Sequence, residues 1–241
     1  EQNINWAEEM ERNGVNVVYG FAGLKIHAKL CFVVRREKGK LERYTHIGSG
    51  NYNAASAKIY TDLGLFTANK DINDDVQDLF NVMTGYGVVN HYRKLLVSPH
   101  TLRPGITKLI RREIEQHKKH GNGHIIIKCN QLVDYEMVKV LYEASRAGVK
   151  IECIVRGICS LRPGLPGVSD TITVRSIVGR LLEHARIYYF HNNGDEEMYF
   201  GSADLMTRNL NGRIEVLTPL LQENLCNNCL LYTSPSPRDR S

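Results

Sequence analysis

Hydrophobic and polar positions alternate with the period of a strand along much of the first part of the chain. Four segments are β-branched or alternating and are bounded by glycine or charged turns, which is typical of strands. They are 15–19, 24–34, 41–47 and 62–67. Helical patterns cover Asn5 to Asn13 and Asp74 to Thr84, and the second begins with acidic residues, which the helix dipole favours.

The alternation of strand and helix continues beyond residue 94. The pattern predicts one helix from Thr101 or Pro104 to His120, ended by a glycine-rich turn, and another from Asp134 to Ala147. Strands are predicted at 124–129, 149–155, 171–178, 185–190, 197–201 and 213–218. Because strands alternate with helices, we expect an α/β fold made of two related units, 1–94 and 95–224.

Composition agrees with a soluble globular protein: 42% of the 241 residues are hydrophobic and 24% are charged. No apolar run approaches the roughly 18 residues that a membrane span needs, and no signal segment is visible, so we expect no transmembrane segment. The chain starts at Glu1 rather than Met and enters a helical pattern without a leader. We interpret it as a fragment whose upstream part is missing.

The end of the chain and the cysteines add little chemistry. The segment 225–241 has no amphipathic period and resembles translated adapter sequence, so we expect it to be non-native or disordered; if native, it is a flexible Ser/Pro linker. Cysteines stand at 31, 129, 153, 159, 226 and 229. Because they lack paired metal spacing in the body of the chain, we expect reduced thiols in a cytosolic protein.

Positive charge is concentrated between His91 and Asn130. Nine Lys and Arg face two Glu there, a net charge of +7, while the whole chain carries +5. One interpretation is the solvated face of a helix. The other is an electrostatic funnel for a polyanion, either polyphosphate or nucleic acid. Tyr92 is the one aromatic residue in the segment, and such sparse stacking surface favours polyphosphate over nucleic acid.

One chemical pattern occurs twice. His27-Ala28-Lys29 is followed after 21 residues by Gly48-Ser49-Gly50-Asn51, and His184-Ala185-Arg186 is followed after 17 residues by Gly201-Ser202-Ala203-Asp204. In an extended strand, each His and its cation share a face. Two such units closing on one anionic group suit phosphoryl transfer, because a nucleophilic His would be flanked by fixed cations and faced by a second His.

This repeat resembles the motif of the phospholipase D superfamily, His-x-Lys with a later Gly-Ser-x-Asn turn. That motif also has Asp seven residues after each His, where this chain has Val34 and His191. The departure disfavours a phosphodiesterase or phosphatidyltransferase, which stays an alternative. A third possibility is a non-catalytic polyanion-binding fragment.

A narrower resemblance is to the C-terminal catalytic half of bacterial polyphosphate kinases of the first type. It extends in order from about residue 4 to about residue 220. Its segments are Leu24 to Leu30, Thr45 to Asn53, Tyr60 to Leu65, Ile154 to Cys159, Val174 to Arg180 and Glu183 to Tyr188. The resemblance implies two phospholipase D-like α/β units around a shared active site.

It also implies roles for particular residues. His27 would be the phosphohistidine nucleophile, and His184 would serve as acid or base or contact phosphate. Tyr60 would lie against adenine, and Arg156 would bind the ATP phosphates through its forked donors. Lys29 and Arg186 are candidate transition-state cations, and Asn51, Asn53 and Asp204 are candidates for orienting the imidazoles or phosphates. For these five residues a purely structural role is the alternative.

The implied reaction moves the γ-phosphate of ATP reversibly to inorganic polyphosphate. Mg²⁺ is the expected cofactor, bridging the nucleotide phosphates. The family's metal-associated arginines lie upstream of His27 and beyond the start of this chain, so we expect no metal ligand in it. The resemblance further implies a homo-oligomer when full length, no nucleic-acid partner, and a cytoplasmic location with peripheral attachment to the inner membrane as an alternative.

Overall fold

The computed structural model describes residues 2–20, 23–87, 89, 91–222 and 224–226, with side chains from Asn5 onward. The α-helices are α1 (Gln2–Arg12), α2 (Lys70–Met83), α3 (Leu102–His120), α4 (Tyr135–Arg146) and α5 (Thr207–Gly212). The strands of the first half are β1 (Lys25–Ile26), β2 (Lys29–Glu37), β3 (Lys40–Gly48), β4 (Tyr60–Thr61) and β5 (Gly64–Thr67). Those of the second half are β6 (Leu96–Val97), β7 (His124–Cys129), β8 (Lys150–Val155), β9 (Ile172–Arg175), β10 (Leu182–Glu183), β11 (Arg186–Phe190), β12 (Glu197–Gly201), β13 (Arg213–Ile214) and β14 (Val216–Pro219).

The expected α/β fold is confirmed. A seven-stranded sheet has the order β6-β14-β12-β11-β7-β8-β9, in which β7, β8 and β9 run parallel and the other pairs run antiparallel. Helices α3 and α4 pack on one face through residues such as Ile110 and Leu141, and the strands supply Ile127 and Tyr188. This arrangement follows from the alternation along each strand, which sends every second side chain to the same face.

The first half covers the other face of the large sheet. Its antiparallel sheet β2-β3-β5 and helix α2 bury Ile47 and Val76 against Tyr189 and Phe200 of the second half. Asp75 of α2, fully buried, also accepts backbone N–H hydrogen bonds from 93, 94 and 95 at 2.9, 2.7 and 3.0 Å. Helix α2 is thereby fixed to the junction between the halves, and the two halves share a core.

Several predicted boundaries were wrong for identifiable reasons. Segment 15–19 forms no strand, because Val15, Val18 and Tyr19 stay exposed and gain no burial from pairing. Helix α2 begins four residues before the predicted Asp74, because the Asn69 side chain accepts the N–H of residue 72 and caps an earlier turn. The strand predicted at 62–67 starts at residue 64, and the one at 171–178 ends at residue 175.

Two further predicted strands are interrupted, and the interruptions shape the site. The strand predicted at 24–34 breaks at His27 and Ala28, whose N–H groups both donate to the Ile214 carbonyl at 3.0 Å. The strand predicted at 213–218 breaks at Glu215, between β13 and β14. Both breaks lie where the two halves meet.

The halves exchange short strands reciprocally. Strand β1 of the first half pairs in parallel with β13 of the second, and β10 of the second pairs in parallel with β4 of the first. Just as His27 and Ala28 donate to residue 214, the N–H groups of His184 and Ala185 donate to the Thr61 carbonyl at 3.2 and 3.1 Å. Each histidine therefore follows a strand that is paired with the opposite half.

Within the described part of the chain, no helix combines the length and the apolarity that crossing a membrane requires. Of the predicted tail 225–241, Leu225 and Cys226 are described, and both pack against the core between the two halves. The remainder of that predicted tail lies outside the described residues.

Candidate active site

Both histidines of the repeat are held by a carboxylate from the opposite half. The Nδ1 atom of His27 lies 2.8 Å from Oε2 of Glu215, and Nδ1 of His184 lies 2.7 Å from Oδ1 of Asp62. A carboxylate accepts hydrogen bonds and does not donate when ionised, so the proton of each neutral ring belongs on Nδ1. The lone pair of each imidazole is then on Nε2.

Each carboxylate is in turn bound by the serine of the small-residue turn in its own half. Ser49 Oγ donates to Asp62 at 2.6 Å, and Ser202 Oγ donates to Glu215 at 2.5 Å. Glu215 is fully buried and also accepts from Asn209 Nδ2 at 2.6 Å. The turns therefore contribute by positioning the carboxylates that orient the imidazoles.

Sequence reasoning missed Asp62 and Glu215 as site residues. It sought a carboxylate seven residues after each histidine, where Val34 is exposed and His191 pairs with a surface Glu. The usable signal was a second repeat, because each carboxylate lies 13 residues after its serine. That spacing is the same in both halves.

The cations of the two motifs are buried. Lys29 donates from Nζ to the His27 carbonyl, and Arg186 donates from Nη1 to the His184 carbonyl at 2.8 Å, so the two cations are related in the same way to their histidines. Burial lowers the pKa of Lys29 to about 8, although Glu215 opposes the shift. The cation of the first motif, Lys29, therefore titrates at a pH of about 8.

Arg186 and Asp204 form a rigid pair. The guanidinium donates from Nη2 to Asp204 Oδ2 at 3.1 Å, and Asp204 also accepts the backbone N–H of Asn130 at 2.7 Å. Arg186 further donates to the Ser49 carbonyl at 3.3 Å and faces His184 Nε2 at 3.2 Å. The second motif thereby touches the turn of the first.

Electrostatics also indicate one shared site. The pKa of Lys29 responds to Arg186 and Asp62 as well as to Glu215. Burial opposes ionisation of Asp62, yet hydrogen bonds from His184 and Ser49 hold its pKa below the usual value. Residues of both motifs therefore share one electrostatic environment.

Tyr60 and Arg156 lie on the His184 side. The Tyr60 ring stacks on His184 with centroids 4.6 Å apart, and the Arg156 guanidinium lies 5.9 Å from the Tyr60 centroid. Burial, and the nearby Arg186 and Arg156, lower the pKa of His184, although Asp62 opposes them. The ring is therefore neutral at pH 7. Nη1 of Arg156 is buried without a hydrogen-bond partner among the described residues.

The two asparagines lie at the edge of this arrangement. Asn51 is exposed, and its side chain hydrogen-bonds to none of the described residues. Asn53 accepts the backbone N–H groups of Ala55 and Ser56 at 3.0 and 2.9 Å, so it stabilises the turn before the 3₁₀ helix Ser56–Lys58 instead of contacting an imidazole.

The basic segment 91–130 is largely neutralised. Six of its nine cations form ion pairs with acidic side chains: Arg93, Arg103, Arg111, Arg112, Lys118 and Lys128. This pairing favours the interpretation as a structural helix face over a polyanion funnel. Among the described residues, no group of three or more His, Cys, Asp or Glu side chains is placed to hold a metal ion.

Comparison with known proteins covers nearly the whole chain. Residues 1–89 match the family described as polyphosphate kinase C-terminal domain 1, and residues 95–234 match polyphosphate kinase C-terminal domain 2. The polyphosphate kinase of Prosthecochloris aestuarii is 56% identical over 94% of this chain and 32% of its own length. That of Bacillus cereus is 52% identical over 92% of this chain and 32% of its own length.

A solved structure agrees with these relatives. The crystal structure of polyphosphate kinase from Porphyromonas gingivalis superimposes with a TM-score of 0.89 and 41% identity, over 95% of this chain and 35% of that one. The chain spans about a third of the length of the relatives it matches. With two consecutive domain matches and this shared fold, the chain belongs to the polyphosphate kinase family.

Proposed function

We propose that this chain carries the phosphoryl-transfer site of a polyphosphate kinase, in which His27 takes the γ-phosphate of ATP and passes it reversibly to polyphosphate. The observation that carries this proposal is the reciprocal pairing of His27 with Glu215 and of His184 with Asp62. It gives two imidazoles with defined tautomers beside buried cations. Phosphoryl transfer depends mainly on such positioning and charge stabilisation.

The surroundings of the two rings support His27 as the nucleophile. Among the described residues, none hydrogen-bonds to Nε2 of His27, whereas Nε2 of His184 faces Arg186 at 3.2 Å. His184 is also stacked by Tyr60. We therefore assign attack to His27, and assign a proton-transfer or phosphate-binding role to His184.

The first step forms a bond between His27 Nε2 and the γ-phosphorus. The bond from that phosphorus to the β–γ bridging oxygen breaks, and ADP leaves with the electron pair. The proton on Nδ1 stays hydrogen-bonded to Glu215, which stabilises the positive charge that develops on the ring. In the second step a terminal polyphosphate oxygen attacks the phosphorus, and the electron pair of the P–N bond returns to Nε2.

The cations of the site bind two different groups, the nucleotide and the transferred phosphoryl group. We assign Arg156, with its buried unpaired donor, to the nucleotide phosphates, and Tyr60 to the base. Lys29 and Arg186 neutralise charge on the transferred group. Mg²⁺ bound by the nucleotide stays part of the proposal, but the described residues offer it no ligand cluster and no step is assigned to it.

The test is labelling with γ-labelled ATP and magnesium. Because the chain spans about a third of its relatives, the assay uses it within a full-length polyphosphate kinase polypeptide. We expect label that is acid-labile and base-stable, mapped to His27 by proteolysis. His27→Ala should abolish it, and His120→Ala, at the exposed end of α3, should retain it.

Other outcomes separate the alternatives. Label that persists in His27→Ala contradicts the assignment of the nucleophile. Hydrolysis of a phosphodiester without any labelling by ATP would instead favour the phospholipase D-like alternative. Polyphosphate binding that survives His27→Ala, in a protein that never becomes labelled, would favour a non-catalytic polyanion-binding chain.

A further inference from the structure

The exchanged strands place Arg213 and Tyr60 at equivalent positions in the two halves. Tyr60 lies two residues before Asp62 and pairs with Leu182, whereas Arg213 lies two residues before Glu215 and pairs with Lys25. Residues two apart in a strand share a face, so Tyr60 accompanies its carboxylate toward the site. The stack of Tyr60 on His184 shows this directly.

Arg213 is a candidate anion-binding residue. It is half-buried, and its guanidinium forms no hydrogen bond or ion pair with any described residue. Its charge acts on Lys29, whose side chain lies next to His27. By contrast, Arg186 is bound to Asp204, and Arg103 to Asp134.

Beyond their carboxylates, the two histidines therefore have different neighbouring side chains. His184 has an aromatic ring and Arg156, which suit a nucleotide. By equivalence, His27 has the two cations Arg213 and Lys29, and no ring of the described residues stacks on it. A guanidinium binds the non-bridging oxygens of phosphate through two parallel N–H bonds.

We propose that Arg213 is a phosphate-binding residue on the His27 side of the site, which holds the transferred phosphoryl group and the terminal phosphate of polyphosphate. The inference rests on the proposed function, because it presupposes transfer through His27. Tyr60 and Arg156 hold the nucleotide, and Arg213 holds the acceptor.

The test compares Arg213→Gln, Arg213→Lys and the control Arg208→Gln in the full-length polypeptide. Arg208 is exposed on α5 and binds none of the described residues, so its loss removes the same charge a few residues away. Three quantities are measured: transfer from pre-labelled enzyme to polyphosphate in a single turnover, the Kd for polyphosphate, and the Kd for a non-hydrolysable ATP analogue.

We expect Arg213→Gln to slow transfer and to weaken polyphosphate binding by roughly 10- to 100-fold, the effect of losing charge-assisted hydrogen bonds. The Kd for the ATP analogue should stay within about twofold. Arg213→Lys should lie between, since it keeps the charge without the fork. Arg208→Gln should match the wild type in all three quantities.

Transfer and polyphosphate binding within twofold of wild type in Arg213→Gln would overturn the inference. So would an equal loss in Arg208→Gln, or an equal loss of affinity for the ATP analogue. If the wild type forms phosphohistidine while Arg213→Gln stays active, the role of Arg213 alone fails. If the wild type forms none, the proposed function fails, and the polyphosphate Kd alone then decides whether Arg213 binds this ligand.

Discussion

Replacing Glu215 with Gln tests the orientation of His27 directly. The carboxylate is fully buried and accepts hydrogen bonds from His27 at 2.8 Å, Ser202 at 2.5 Å and Asn209 at 2.6 Å. All three partners donate, but glutamine offers one oxygen and one NH₂ group. With Asn209 in its present orientation, at least one donor faces another donor in either orientation of the glutamine amide.

The size of the effect follows from these contacts. A hydrogen bond to a charged group contributes about 1.5–3 kcal/mol and a neutral one about 0.5–1.5 kcal/mol, and an unsatisfied buried donor costs about 1–3 kcal/mol. Glu215→Gln should therefore lower the free energy of unfolding by about 2–4 kcal/mol. If about 3 kcal/mol of imidazolium stabilisation is lost, phosphorylation of His27 slows by about 100-fold.

The orientation of the new glutamine amide determines how far the rate of phosphorylation falls. With its oxygen toward His27, the Nδ1 tautomer survives and only the charge is lost. With its NH₂ toward His27, the ring must place its proton on Nε2, and the nucleophilic lone pair is no longer available. The loss in rate would then exceed the 100-fold estimate.

The assay is rapid-quench labelling by γ-labelled ATP, combined with urea unfolding of the same samples. Glu196→Gln is the matched control, because that Glu lies 3.6 Å from His191 on the surface and outside the site. A folded Glu215→Gln protein that is phosphorylated as fast as the wild type would refute the positioning role. Slow labelling by Glu196→Gln would show that the assay responds to unrelated charge loss.

Substitutions at three other positions probe the remaining parts of the site. Because the pKa of Lys29 is about 8, its charge is lost as pH rises through that value. The value of kcat/KM should therefore fall near that pH, and Lys29→Arg should move the fall to higher pH. Tyr60→Leu should raise the KM for ATP several-fold while Tyr60→Phe stays near wild type, because the ring and not the hydroxyl stacks; equal KM values would contradict this. In Gly50→Ala the new Cβ would come within 2.0 Å of the Asp62 carboxylate, so activity should fall at least tenfold, whereas Gly212→Ala meets nothing within 4 Å and should remain active.

The elements that the sequence predicted well are those with strong local signals. Helix α3 ends at His120 because Gly121 adopts a left-handed φ of 72° there, and α4 is capped by Asp134, whose side chain accepts the N–H of Met137. Strand β7 has the predicted limits, His124–Cys129, because its side chains are buried on both faces. In each case the deciding interaction lies within a few residues.

The parts that could not be predicted depend on distant contacts. Strands β1, β4, β10 and β13 are two residues long, and so short a segment carries no period. They exist because each finds a partner in the opposite half. The carboxylates were missed for the same reason, since His27 and Glu215 are 188 residues apart and His184 and Asp62 are 122 apart.

This exchange explains why the repeated motif has to occur twice in one chain. Each half contains a histidine, a cation and a small-residue turn, but the carboxylate that its turn positions orients the histidine of the other half. Neither half alone fixes the tautomer of its own imidazole. The position two residues before each carboxylate can then differ between the halves. It is Tyr60 in the first half and Arg213 in the second, so the two histidines have different neighbours. The proposed transfer from ATP to polyphosphate would use that difference, because one side would bind a nucleotide and the other a chain of phosphates.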